Sequence, residues 1–204
     1  MAPSQFDFEE EFEETPIVTL WDEQGRSLDC YLDKEYTPPG RNALTYILLA
    51  PVDTPVMILA WEEEAEDEES DAFLIEDSEE IEKIFADAKA VLAELDLQLK
   101  FTAHTLTVSG ELPPLEDDNV LSLEIDSEGQ TTEEPEELQF LASFFFEDQK
   151  YSIYTPLAPL LFLATSDEDR KKIELLSPDD EELQPILEEL LFDELEDQLD
   201  DGLE

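Results

Sequence analysis

The residues able to do chemistry are abundant by type and poor in arrangement. Of 204 residues, 58 are Asp or Glu, 10 are Lys or Arg, and there is one His and one Cys. Carboxylates paired at roughly 5–9 Å can do glycosidase-type acid and base work. So acidic a chain supplies such pairs by chance on any surface, so they carry weight only around a pocket. Asp22-Glu23-Gln24-Gly25 has a faint likeness to a calcium loop, but it lacks the alternating oxygen ligands and closing glutamate of an EF-hand. It reads as a turn, with weak divalent-ion binding to acidic loops expected only as screening. His104 cannot build a multi-histidine metal site alone, nor can Cys30 build a thiolate-zinc cluster. As nucleophile and base the two find no support in their contexts; Cys30 alternates into an apolar strand and His104 reads as an ordinary strand residue. The phosphate-cradling and nucleophile-elbow motifs are missing, and five glycines in all cannot assemble a Gly-rich cradle. The expectation is a protein with no catalytic residues, no metal and no cofactor.

Charge narrows the choice of partner. A formal net charge of -48 repels phosphates and anionic membrane surfaces, so direct nucleic-acid binding is not expected. It also repels itself, so stability should rise with ionic strength. The acids are local, in Asp7–Glu14, Glu62–Asp71, Glu133–Glu137 and Glu194–Glu204, and apolar stretches that a disordered chain would not carry lie between them. Arg170-Lys171-Lys172 is the one basic cluster and reads as the solvated edge of a hairpin. A single cysteine permits no internal disulfide and points to a reducing compartment. No apolar run is long enough to span a bilayer, and the N-terminus lacks the pattern of a signal peptide. The expected location is cytoplasmic, or a plastid compartment like the stroma.

The elements that would position any site follow from periodicity. Residues 1–14 read as an acidic tail in which Phe6, Phe8 and Phe12 are spaced along the acids. Ile17–Trp21 and Ser27–Leu32 flank the Asp22–Gly25 turn as a hairpin. Leu44–Ala50 and Val56–Trp61 are apolar runs of strand length, and Ala72–Ile75 is a shorter one. Ile81, Ile84, Phe85, Ala88, Val91, Leu92 and Leu95 mark one helical face, with Asp77 and Ser78 as candidate caps. Leu97–Phe101 and Leu106–Val108 read as bridging strands. A second series follows with Val120–Ile125, Leu138–Phe146, Lys150–Thr155, Leu160–Ala164 and Ile173–Leu176, then a helical stripe from Leu183 to Leu199 with Pro185 in its first turn. Trp21, Trp61, Tyr46, Tyr151 and Phe144-Phe145-Phe146 read as core and sheet-face residues.

The two series look like divergent copies, 17–96 and 121–195. Ile17–Gly25 aligns with Leu121–Gly129; Tyr46, Pro51, Pro55 and Ala60 answer Tyr151, Pro156, Pro159 and Ala164; Glu79-Glu80-Ile81 answers Glu181-Glu182-Leu183. The expected organisation is an acidic tail (1–14), a first repeat (15–97), a bridge (98–118), a second repeat (119–199) and an acidic C-terminal tail (200–204). The expected fold class is α+β: two antiparallel sheet-plus-helix repeats related by internal pseudo-symmetry.

Leu20–Gly25, Tyr46–Pro51 and Ile75–Ile81 resemble domain of unknown function 1292, a family of small acidic bacterial proteins. Over residues 15–195 the chain is similar to the cyanobacterial and plastid family of domain of unknown function 3727. That resemblance implies a host of oxygenic photosynthetic lineage and brings no catalytic residues. The second copy departs from the pattern at Ser127, Glu128 and the Thr131–Glu137 insertion.

The functional expectation is an acidic adaptor or assembly factor, monomeric with an internal pseudo-dimer, that binds a basic surface on another protein. Its contacts are placed on the acidic loop at Glu62, Glu63, Glu64, Glu66, Asp67, Glu68, Glu69 and Asp71, with the N-terminal tail beside it. One alternative is a nucleic-acid mimic filling a DNA- or RNA-binding cleft. Another is a metal-dependent hydrolase working through Asp and Glu.

Overall fold

A computed structural model describes residues 15–38, 45–61, 72–123, 136–166, 173–177, 183 and 185–186. Strands dominate them. β1 (Ile17–Trp21) and β2 (Ser27–Tyr36) form the first hairpin, followed by β3 (Thr45–Pro51), β4 (Thr54–Trp61) and β5 (Ala72–Leu74). The helix α1 (Ser78–Ala93) leads into the hairpin β6 (Gln98–Phe101) and β7 (Leu106–Ser109). After a single 3-10 turn at Asp117–Asn119 come β8 (Val120–Leu123), β9 (Glu136–Phe146), β10 (Gln149–Pro156), β11 (Phe162–Ser166) and β12 (Ile173–Leu175).

The expected α+β class therefore needs correction. Among the described residues α1 is the one long helix, and the architecture is mostly β in two antiparallel sheets. Nor does each half of the chain make its own sheet. One sheet has the order β1-β2-β3-β11-β12, the other β6-β7-β4-β10-β9-β8 with β5 also on β4. Every strand pairing in both is antiparallel where the register is described.

β3 and β4 are consecutive but lie in different sheets. The β2–β3 ladder continues past β3, the N–H of Val52 donating to the Asp29 carbonyl of β2 at 2.9 Å. The chain thus runs on past β3, and Pro55 has no N–H to offer a hairpin ladder. β4 pairs instead with β7 (Pro55 opposite Thr107) and with β10 (Ile58 opposite Ile153). The same device recurs at the end of β10, where Leu157 N–H donates to Glu137 O at 2.9 Å before the chain leaves for β11.

The chain divides into two compact units, each discontinuous in sequence. The first gathers the described residues within 1–20, 29–52 and 161–204, and the second those within 21–28 and 53–160. In the first, Tyr46, Leu48 and Leu163 are buried with Leu183 and Ile186. Pro185 and Ile186 are helical; the rest of the expected second helix, and so its start, lies outside the described residues. In the second unit α1 covers the sheet. Its buried stripe of Ile81, Ile84, Ala88 and Leu92 packs with Val56, Ile58, Leu141, Phe144, Tyr151 and Ile153.

The ends of α1 show why it forms where it does. Asp77 is the N-cap, its carboxylate accepting the Glu80 N–H at 2.9 Å, and Glu79 and Glu80 lie at the positive end of the helix dipole. At the other end Leu97 N–H donates to Leu92 O at 3.1 Å while Asp96 takes φ 60°, a left-handed stop without glycine. Gly110, with φ 127°, then passes close to this stop: a Cβ there would lie 2.7 Å from the Asp96 carbonyl oxygen.

Candidate functional site

Among the described groups with catalytic potential, Asp22 and Cys30 are held in structural roles. Asp22 opens the first hairpin turn, and its Oδ1 accepts the N–H of Gln24 (3.0 Å) and of Arg26 (2.8 Å) while Oδ2 accepts Arg26 Nε at 2.6 Å. Desolvation pushes its pKa up, but the Arg26 side chain and these backbone bonds outweigh it and hold the carboxyl below the usual aspartate value. Gly25 supplies the positive φ of 80° that closes the turn, and Arg26 lies 4.0 Å over the Phe101 ring. This loop is spent on its own geometry. Among the described residues no group of three His, Cys, Asp or Glu is placed to hold a metal ion.

Cys30 is fully buried in β2, where burial and then the neighbouring Asp29 charge push its thiol up to about 12. The thiolate that nucleophilic chemistry needs is suppressed at neutral pH. His104 is not a strand residue as its sequence context implied. It occupies the turn between β6 and β7 with φ 66°, a conformation in which His is enriched among non-glycine residues. Tyr151 is buried beneath α1, and desolvation, then the charge of Glu80 and a hydrogen bond to it, raise its pKa.

Exposed apolar side chains stand out instead. β1 alternates, sending Val18 and Leu20 into the core and leaving Ile17 (59% exposed) and Trp21 (65%) outside. Thr19 stands between them and donates from Oγ1 to Asp29 Oδ1 on β2 at 2.6 Å, so a carboxylate shares this outer face. β1 is the terminal strand of its sheet. On the other sheet Phe145 (64%) and Phe73 (50%) are also exposed.

Trp21 and Phe145, which read from the sequence as core and sheet-face residues, lie on strand faces open to solvent. The signal that finds them is parity. In Ile17–Trp21 the apolar residues occupy every position but one, and only the pairing of Val18 and Leu20 with the core decides which set faces out. Trp61, by contrast, is half-buried; Gln149 Nε2 donates to its carbonyl, and its own Nε1 is buried with no partner among the described residues. The acidic loop Glu62, Glu63, Glu64, Glu66, Asp67, Glu68, Glu69 and Asp71 joins β4 to β5 and lies outside the described residues, as do the N-terminal tail and Arg170-Lys171-Lys172.

The described residues make a β-rich protein of two antiparallel sheets with exposed aromatic side chains on its strands. Residues 96–194 match the family described as a protein of unknown function, DUF3727, and residues 23–93 match the protein of unknown function DUF1292. The two matches meet in the segment between α1 and β6. Neither the curated proteins nor the solved structures gave a match. No described helix is long and apolar enough to cross a membrane.

Proposed function

We propose that this chain is a non-enzymatic interaction module that binds a basic surface on another protein. The observation supporting this reading is the outer face of β1, where Ile17 and Trp21 stand exposed beside Asp29 in a chain of net charge -48. A solvent-exposed Trp on a terminal strand is the type of side chain that anchors interfaces. The surrounding acidity speeds encounter with a basic partner and excludes acidic ones. The acidic loop Glu62–Asp71 and the N-terminal tail supply further charge in this reading. Its setting is cytoplasmic or a plastid stroma, in a host of photosynthetic lineage.

The test is affinity capture at low salt followed by stepwise elution, run in parallel with an Ile17→Ser/Trp21→Ser variant. Between about 0.1 and 0.5 M salt the Debye length falls from about 10 to roughly 4 Å, so an electrostatically steered basic partner elutes in this window. The variant should retain weak, salt-labile capture and lose at least tenfold in affinity for the specific partner, measured by titration with that purified protein. Equal affinity of variant and parent would remove β1 as the anchor, and a partner that is acidic or indifferent to salt would remove the reading altogether.

A further inference from the structure

Apart from β6 and β7, the strand pairings of the two sheets follow one pattern. In the first sheet β3 meets β11 with Leu48 opposite Leu163 and Tyr46 opposite Thr165. In the second, β10 meets β4 with Ile153 opposite Ile58 and Tyr151 opposite Ala60. One constant shift along the sequence carries Tyr46 to Tyr151, Leu48 to Ile153, Pro51 to Pro156 and Ile58 to Leu163, and it maps each pairing onto the other. The irregularities coincide as well. The β2–β3 ladder skips Asp33 and the β9–β10 ladder skips Leu141, each opposite the same point of the partner strand. Ile75 N–H donates to Ile58 O and Leu176 N–H to Leu163 O, both at 2.9 Å. The cores agree too: Tyr46, Leu48, Leu163, Leu183 and Ile186 in one unit answer Tyr151, Ile153, Ile58, Ile81 and Ile84 in the other.

Under this correspondence β1-β2-β3 answers β8-β9-β10, and β4-β5 answers β11-β12. Each sheet therefore takes three strands from one half of the chain and an adjoining pair, β11-β12 or β4-β5, from the other, and the second sheet adds β6 and β7 beyond β4. We propose that the halves on either side of the β7–β8 connection are two copies of one strand-exchanging module, fused so that each half is the binding partner of the other. Without the second half, β3 and the β10-facing side of β4 would be open edges, and open edges of complementary register are what a strand-adding partner recognises. Five residue pairs join the halves in each sheet, backed by side chains buried on both sides of the seam. The connection Glu111–Glu116 is irregular and mostly exposed beyond Pro113, whose carbonyl accepts Gln139 Nε2 at 2.9 Å, so the proposal requires that a cut after Leu115 leave the assembly intact.

The experiment uses the full chain with a protease site inserted between the exposed residues Leu115 and Glu116. After cleavage the two pieces should co-elute at the size of the uncut chain. Both pieces are acidic, so at low salt their net charges oppose association and only specific contacts keep them together. A dissociation constant of about 10 nM would leave roughly nine-tenths of each piece associated at about 1 μM. Separation into two species in 0.1 M salt overturns the proposal.

Co-elution alone would not show exchange, so two cysteine pairs are added in a Cys30→Ala background. Thr45→Cys/Ser166→Cys bridges β3 and β11, and Trp61→Cys/Lys150→Cys bridges β4 and β10 at the corresponding position of the other sheet. After oxidation, cleavage and denaturation, each pair should hold the two pieces in one non-reduced band that thiol separates. If either pair fails to link pieces that still co-elute, the halves associate in some other way and the proposal falls.

Discussion

Replacing Gly110 by alanine isolates a close approach that only glycine allows. The residue follows β7 with φ 127°, in a region essentially reserved for glycine, and occupying it with an L-residue costs about 1–3 kcal/mol. A Cβ would also stand 2.7 Å from the Asp96 carbonyl oxygen and 3.1 Å from Leu97 Cδ2. The first contact is with backbone, at the left-handed stop of α1, so relief requires moving either that stop or the β6–β7 hairpin. Overpacking of this kind adds about 1–3 kcal/mol, for a total near 4 kcal/mol. Gly25→Ala is the control: its φ of 80° carries the strain alone, since nothing lies within 4 Å of the added Cβ, and about 1 kcal/mol is expected. Urea unfolding at fixed ionic strength, followed by tryptophan fluorescence, reads the difference. With m near 2 kcal/mol/M, the Gly110→Ala midpoint should fall more than about 1 M below that of Gly25→Ala. Equal midpoints would mean that the helix stop and Gly110 do not meet as described.

Other consequences can be checked more briefly. Asp77→Ala should destabilise the fold by about 1 kcal/mol through loss of the Glu80 N–H bond, whereas Asp77→Ser should restore most of it, as thermal melts would register. Asp22 should titrate below ordinary aspartate in an NMR pH series. Because its folded pKa is depressed, the stability it brings is present above the unfolded value and lost as pH falls through the folded one, and a midpoint above the usual value would contradict the Arg26 pairing. Cys30, with its pKa pushed up to about 12, should resist a thiol reagent at pH 8 until the protein is unfolded; rapid native labelling would refute its burial. The melting temperature should rise between about 20 and 200 mM salt as the Debye length shrinks and self-repulsion weakens, and a fall would show that the net charge is not a destabilising force here.

Periodicity and composition settle whatever depends on near neighbours along the chain. The stripe Ile81, Ile84, Ala88, Leu92 with Asp77 before it specified α1 and its cap, since capping and a 3.6-residue repeat are local. The Asp22–Gly25 turn was legible for the same reason: an Asp that bonds its own backbone and a Gly at positive φ need nothing distant. The likeness of Tyr46–Pro51 to Tyr151–Pro156 was equally visible, and these residues hold corresponding ladder positions, whereas the alignment of Ala60 with Ala164 is one residue off: Ala60 faces Tyr151 as Thr165 faces Tyr46. Which strand lies beside which was not. An alternating or continuously apolar run records that a face is buried, but the backbone groups along its edge are identical whether β4 pairs with β3 or with β10. That choice depends on contacts distant in sequence, β3 with β11 and β4 with β10. The same limit applies to Trp21: its type and spacing allow core or sheet face, and only the packing of Val18 and Leu20 against the core turned it outward.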